Sequence, residues 1–189
     1  FVVGLASLLA IPLPILPLQI LLLNLVTDVF PALALGFGEG EEFVMEKPPR
    51  DPDEPILDRS HWTAIGLYGV VFTGAVLGSL FLALHWLDLP ELEAVTVSFL
   101  TLAFSQLWHV FNMRDYGSNL LSNDITRNPY VWGALALCVG ILGLVVYVPL
   151  FASVLKIRPP GFPGWALVIG MSLVPFLYGQ IVKLTGFRL

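Results

Sequence analysis

Asn24, Thr27 and Asp28 stand at i, i+3 and i+4 in the run LLLNLVTDVFPALAL (residues 21–35), with Pro31 three residues beyond the carboxylate. On an α-helix that spacing puts all three on one face. Together they offer a carboxylate, an amide oxygen and a hydroxyl, the hard oxygen donors that Ca²⁺ or another hard cation takes. Pro31 has no N–H for the carbonyl four residues back, so the Thr27 carbonyl is expected to be freed and the helix loosened at Asp28. Helices broken in this way, with unwound carbonyls beside side-chain oxygens, are a recurrent way of building an ion site within a membrane. Asn24 and Thr27 alone would serve equally well as hydrogen-bond partners of a neighbouring helix. Asp28 tips the reading towards an ion or proton site, because ionisable groups inside apolar spans are functional by default. One carboxylate does not neutralise a divalent ion, so further ligands are expected from elsewhere in the fold.

A second polar pattern lies in TVSFLTLAFSQLWHVFN (residues 96–112). Ser98, Thr101, Ser105, His109 and Asn112 recur at three and four, with Gln106 at the edge of the stripe. A polar stripe on an apolar helix must face protein or water rather than lipid. Interhelical hydrogen bonding is the expected role of the stripe, and His109 reads as an interface residue rather than a metal ligand. Gln106 is open to either role.

The elements that position these residues follow from composition. The chain has 189 residues, 57% of them hydrophobic and 12% charged, with a mean hydropathy of +0.84. Soluble domains average roughly a quarter charged, so this is expected to be an integral membrane protein, an all-α polytopic bundle. At about 20 apolar residues per span, five complete spans are expected near 16–37, 62–87, 94–112, 130–152 and 163–184. A partial span runs from Phe1 to about Leu13 and closes in IPLPILP, where Pro12, Pro14 and Pro17 favour a tight turn. The connections are an acidic loop (38–61), the short turn DLPELE, a polar loop (113–129) and KIRPPGFPG. GAVLG (74–78) is a small-xxx-small pattern that favours close helix packing. Lys183 is placed to reach the interface from the end of the last span.

Charge orients the array. Lys47, Arg50, Arg59, Arg114, Arg127, Lys183 and Arg188 fall on one side and only Lys156 and Arg158 on the other. By the positive-inside rule the acidic loop, the 113–129 loop and the C-terminus are expected in the cytoplasm. The net charge of −5 is concentrated in eight acids between Glu39 and Asp58, which argues against a nucleic-acid partner. The single cysteine, Cys138, excludes an internal disulfide. Phe1 opens the chain directly in an apolar stretch with no basic flank, so a segment of a longer polypeptide is expected rather than a signal peptide.

From LPLQILLLNLVTDVFPALALGFGEGEEFVMEKPPRDP onward the chain resembles the type II, calcium-pump-like P-type cation ATPases, starting at their sixth transmembrane helix and the cytosolic loop after it. N-x-x-T-D followed by Pro31, then ALGF, then M-x-K-P-P-R at Met45–Arg50 carry the resemblance. It extends over the whole chain, from late in the fifth helix through the tenth, with Asn128–Pro129 opening a helix on the way. The resemblance implies that Asn24, Thr27 and Asp28 bind the transported cation, with Ca²⁺ leading because sodium pumps usually carry Asp where Asn24 stands. It also implies a ligand at Gln106, where two-site calcium pumps carry glutamate and plasma-membrane-type calcium pumps and sodium pumps carry glutamine. That departure removes one negative charge and puts a second calcium ion in doubt. The short DLPELE turn resembles bacterial members, which implies a bacterial plasma membrane.

The D-K-T-G phosphorylation motif, the nucleotide-binding domain, the fourth-helix break and the fifth-helix carboxylate do not occur in the sequence. The resemblance therefore implies that ATP and Mg²⁺ act only through other domains of a parent pump, and that this chain does not hydrolyse ATP by itself. Its partners would be the bilayer, the first five helices and the cytoplasmic phosphorylation domain, with Lys47–Arg50 as a docking point unless the loop is only a solvated linker. Two other readings compete: a secondary or proton-coupled carrier titrating Asp28, and a membrane scaffold without transport. The carrier reading favours inverted repeats, and no second N-x-x-T-D is found.

Overall fold

The computed structural model describes residues 1–9, 11–37, 57, 59–113 and 123–184. The eight loop acids, together with Lys47, Arg50, Arg114 and Arg188, lie outside the described residues. Every regular element among the described residues is helical: α1 (Val2–Leu8), α2 (Pro17–Leu23), a π-helical segment (Asn24–Val29), α3 (Phe30–Gly36), α4 (Arg59–His85), α5 (Glu91–His109) with a 3₁₀ extension (Val110–Met113), α6 (Asp124–Arg127), α7 (Pro129–Tyr147), α8 (Pro149–Val154) and α9 (Phe162–Leu184). Five stretches are long and apolar enough to cross a membrane: Pro17–Gly36, His61–His85, Glu91–Met113, Pro129–Tyr147 and Phe162–Leu184. They coincide with the five expected spans to within a few residues, except at one end.

The exception is the fourth span, expected to run to 152. It stops at Tyr147, because Val148 precedes a proline and takes an extended ψ of 116°. Pro149 then opens the separate short helix α8. The partial first span is also shorter than expected, ending at Leu8, and the proline-rich stretch from 11 to 16 that follows it is non-helical.

The hub is α5. Its span is 72% buried within the bundle, against 28–33% for the other four. It packs against α4 and α9, which also pack against each other, while α3 packs on α7 and α5 touches the π segment. Fully buried Val76 and Leu80 of α4 and Val97, Phe99, Leu100 and Leu107 of α5 belong to the core around that hub. Gln19 Nε2 donates to the Leu155 carbonyl at 3.0 Å, and the amide of Arg158 donates to Thr96 Oγ1 at 3.0 Å. Both bonds bring KIRPPGFPG to the N-terminal ends of α2 and α5, so these ends lie on one side of the bundle. On that side Asp88, with a φ of 47°, closes α4 within the short DLPELE turn.

Candidate cation site

Pro31 dictates the local winding of the second span. The helix runs regularly through Leu23, widens to i+5 hydrogen bonding over Asn24–Val29 and returns to α geometry at Phe30, with Pro31 in its first turn. Such π turns cluster at functional sites. The expected loosening at Asp28 is therefore a defined rewinding rather than a gap. In this wider spacing the carbonyl facing the missing N–H of Pro31 moves from Thr27 to Val26.

The rewinding also redistributes the three side chains. Thr27 is buried, while Asn24 and Asp28 are exposed on the outside of the bundle, so the face expected from α spacing is not shared by all three. Thr27 Oγ1 lies 2.8 Å from the Leu23 carbonyl and 3.2 Å from Asp28 Oδ1, placing its hydroxyl directly beside the carboxylate. Asp28 is also the one carboxylate away from the ends of the five spans. In hydrocarbon such a group must face protein or water.

The α5 stripe divides into two parts. At its two ends it bonds to neighbouring elements, the proline-rich stretch at one end and the helix α9 at the other. Ser98 Oγ donates to the Pro14 carbonyl at 2.5 Å, and Asn112 Nδ2 donates to the Phe176 carbonyl at 3.3 Å. His109 sits edge-on to Tyr68 and Phe72, with ring centroids 4.8 and 5.4 Å away, as an interface residue. Its middle is different: Thr101 Oγ1, Ser105 Oγ and Gln106 Oε1 are buried with no hydrogen-bond partner. A buried oxygen left without a partner costs about 1–3 kcal/mol, so these three set the middle of α5 apart from its ends. Thr101 and Ser105 share the sequence stripe with residues that pair across helices, and nothing in spacing alone separates them. No cluster of three or more His, Cys, Asp or Glu occurs among the described residues. The oxygens present are one carboxylate beside a hydroxyl on the π segment and, separately, three buried neutral oxygens on the α5 helix that touches it, all of types that a hard cation takes.

The family model described as "Cation transporting ATPase, C-terminus" matches residues 12–185. The chain belongs to that family. A calcium-transporting ATPase of Bacillus subtilis is 35% identical over 170 residues, covering 90% of this chain and 19% of the relative. Calcium-transporting ATPase 1 of Bacillus cereus is 30% identical over 200 residues, covering 95% of this chain and 22% of its own length. The endoplasmic reticulum-type calcium-transporting ATPase 4 of Arabidopsis thaliana is 26% identical over 236 residues and is covered to 22%. This member of the cation-transporting ATPase family therefore spans about a fifth of the length of the relatives it matches. With five spans of sufficient length, it is a multi-pass integral membrane protein.

Proposed function

We propose that this chain is the membrane-embedded cation-binding and translocation part of an ATP-driven pump, with Ca²⁺ as the cargo. Asn24, Thr27 and Asp28 on the second span and Gln106 on α5 are the proposed ligands, with Thr101 and Ser105 adding neutral oxygens. The observation that carries this reading is the π-wound segment that holds Asp28, the one carboxylate away from the span ends, beside the Thr27 hydroxyl at 3.2 Å. Membership of the cation-transporting ATPase family supports it, as do the names of the relatives, which are calcium-transporting ATPases.

In this reading phosphorylation of an aspartate in another domain drives alternating access around Asp28, and ATP and Mg²⁺ act there rather than in this chain. The remaining helices of the pump cover the exposed side of Asn24 and Asp28. The cytoplasmic phosphorylation domain meets the 38–61 loop, with Lys47–Arg50 as its docking point. The charge asymmetry across the spans supports a cytoplasmic position for that loop and the C-terminus, and the short DLPELE turn favours a bacterial plasma membrane.

The test is ATPase activity of the full-length protein in lipid, titrated separately with Ca²⁺, Mn²⁺, Na⁺ and K⁺, wild type beside Asp28→Asn. Stimulation by Ca²⁺ that disappears in Asp28→Asn is expected. Cation-stimulated activity unchanged in Asp28→Asn would overturn the assignment of the site.

A further inference from the structure

The bond that Pro31 withholds from the π segment is supplied by another helix. With i+5 spacing the N–H that would serve the Val26 carbonyl is that of residue 31, and proline has none. The Sγ of Cys138 on α7 donates to that carbonyl at 3.0 Å, and both residues are 0% exposed. At membrane depth a carbonyl freed in this way needs a donor from within the protein or an ordered water, and here a neighbouring helix supplies it. Hydroxyl side chains in these helices mostly return their proton to a carbonyl three or four residues back on their own helix, as Thr73 does to Gly69 at 2.6 Å and Thr96 to Leu92 at 2.9 Å. The Cys138 thiol instead crosses to a different helix, at the one carbonyl there that a proline leaves without a backbone donor. Farther along, Asn128 Nδ2 donates to the Ala34 carbonyl at 3.1 Å, so α7 holds the broken span at a second point, in the last turn of α3.

We propose that Cys138 is a positioning residue that selects the π winding of the cation segment. In α winding the orphaned carbonyl would be that of Thr27, and the Val26 carbonyl would already be served by the Phe30 amide, so the thiol would add little there. In π winding the orphan is Val26, and the thiol satisfies it. The bond therefore favours the winding that turns the Thr27 side chain inward and sets its hydroxyl beside Asp28. This inference rests on the reading of Asp28 as a cation ligand, which the same experiment checks.

The experiment uses the full-length protein in lipid with Ca²⁺ as the probe. Apparent Ca²⁺ affinity and maximal ATPase rate are measured for Cys138→Ala, Cys138→Ser, Pro31→Ala, the double variant Cys138→Ala/Pro31→Ala, and Asp28→Asn. Cys138→Ala is expected to weaken apparent affinity by about threefold to tenfold, the range for losing the net contribution of one hydrogen bond, with the rate at saturating Ca²⁺ held within about twofold. Cys138→Ser, which keeps a donor, should stay within about twofold of wild type. Pro31→Ala restores the backbone N–H, so adding Cys138→Ala to it should change affinity by less than about twofold, a coupling that independent sites do not show. Wild-type affinity in both Cys138 variants, or an undiminished alanine effect in the Pro31→Ala background, would overturn the proposal.

Asp28→Asn separates the two failures. If it abolishes Ca²⁺ stimulation while Cys138→Ala does nothing, the positioning role alone falls. If it leaves stimulation intact, the cation reading falls, and thermal unfolding of the same variants in detergent decides the winding role. Non-additive effects of Cys138→Ala and Pro31→Ala support that role, and additive ones remove it.

Discussion

Gly179 lies so close to the Asn112 side chain that a methyl group on its α-carbon would overlap the amide nitrogen and stand 2.6 Å from the Tyr68 hydroxyl. Neither neighbour is free to yield. Asn112 is held by Gln180 Nε2, which donates to its Oδ1 at 2.6 Å, and by its own bond to the Phe176 carbonyl. Tyr68 is set edge-on against His109 and Tyr178, with ring centroids 4.8 and 5.4 Å away. This junction joins α4, the end of α5 and α9 just past Pro175, where α9 carries a proline within its helix. Gly179→Ala is therefore expected to destabilise the bundle by about 1–3 kcal/mol through overpacking, read as a lowered thermal midpoint in detergent.

The two glycines of GAVLG should behave differently from Gly179 and from each other. A methyl at Gly78 would come within 2.9 Å of the terminal Cε of Met171, which can swing aside, and one at Gly74 would meet nothing within 4 Å. Gly74 opens instead onto an apolar groove lined by Phe1, Leu5, Leu8, Val70 and Leu77. Gly74→Ala should leave the thermal midpoint unchanged or raise it slightly through helix propensity, and Gly78→Ala should change stability by under about 1 kcal/mol, because methionine adapts its shape. A Gly74→Ala loss as large as that of Gly179→Ala would mean that the groove closes against α4.

Thr101 and Ser105 allow a test in which stability and binding move in opposite directions. Their hydroxyls are fully buried and unpartnered. If they serve a transported cation, removing them relieves an unmet polar group in the empty protein and deprives the bound ion of oxygens. Thr101→Val is expected to raise cation-free stability by about 1 kcal/mol and to shrink the stabilisation that added Ca²⁺ confers. Differential scanning fluorimetry with and without Ca²⁺ reads both. A lower midpoint in the absence of cation would show that the hydroxyl has a structural partner.

The helices were largely legible in the sequence because span length is close to an all-or-none property of composition. A stretch of about 20 apolar residues either crosses a bilayer or does not, and α4 and α9 follow their apolar runs closely. The end of α7 was misjudged because hydrophobicity continues through Val148–Pro149 while the backbone does not. The proline rule acting on Val148 would have placed the break. The arrangement of Asn24, Thr27 and Asp28 was harder to foresee. A sequence period assumes α winding, and the π turn moves Thr27 inward and shifts the orphaned carbonyl to Val26. Nor does spacing within α5 reveal which hydroxyls find partners: Ser98 reaches Pro14, but Thr101, one turn on, reaches nothing. Pairing between helices depends on their rotation and register, which is why nothing in the sequence around Cys138 pointed to a bond with Val26.

Asn128 separates two functions carried by one side chain. Its Oδ1 accepts from the Tyr130 amide at 2.9 Å, capping α7, while its Nδ2 donates to the Ala34 carbonyl. Asn128→Ser retains a cap acceptor and removes the amide donor; Asn128→Ala removes both. The serine is expected to lower stability by about 1 kcal/mol through the lost interhelical bond, and the alanine by roughly twice that because an N-cap of this kind contributes about 1 kcal/mol more. Equal losses in thermal unfolding would mean that only one of the two bonds matters.

Gln106 determines how many charges the proposed site offers. Its Oε1 is buried without a partner on the helix that touches the π segment. As a neutral ligand it would lend an oxygen without adding to the single negative charge that Asp28 brings to a Ca²⁺ from this chain. Gln106→Ala should therefore weaken equilibrium binding of radiolabelled Ca²⁺ by about tenfold, the loss of one well-placed oxygen contact. Gln106→Glu keeps the oxygen and adds a charge that is costly when the site is empty and favourable when it is filled. It should tighten Ca²⁺ binding at neutral pH while lowering the stability of the Ca²⁺-free protein, and the gain should fade as pH falls far enough to protonate the new carboxyl. Binding unaffected by either change would place Gln106 outside the ligand set and leave its buried oxygen to a bound water.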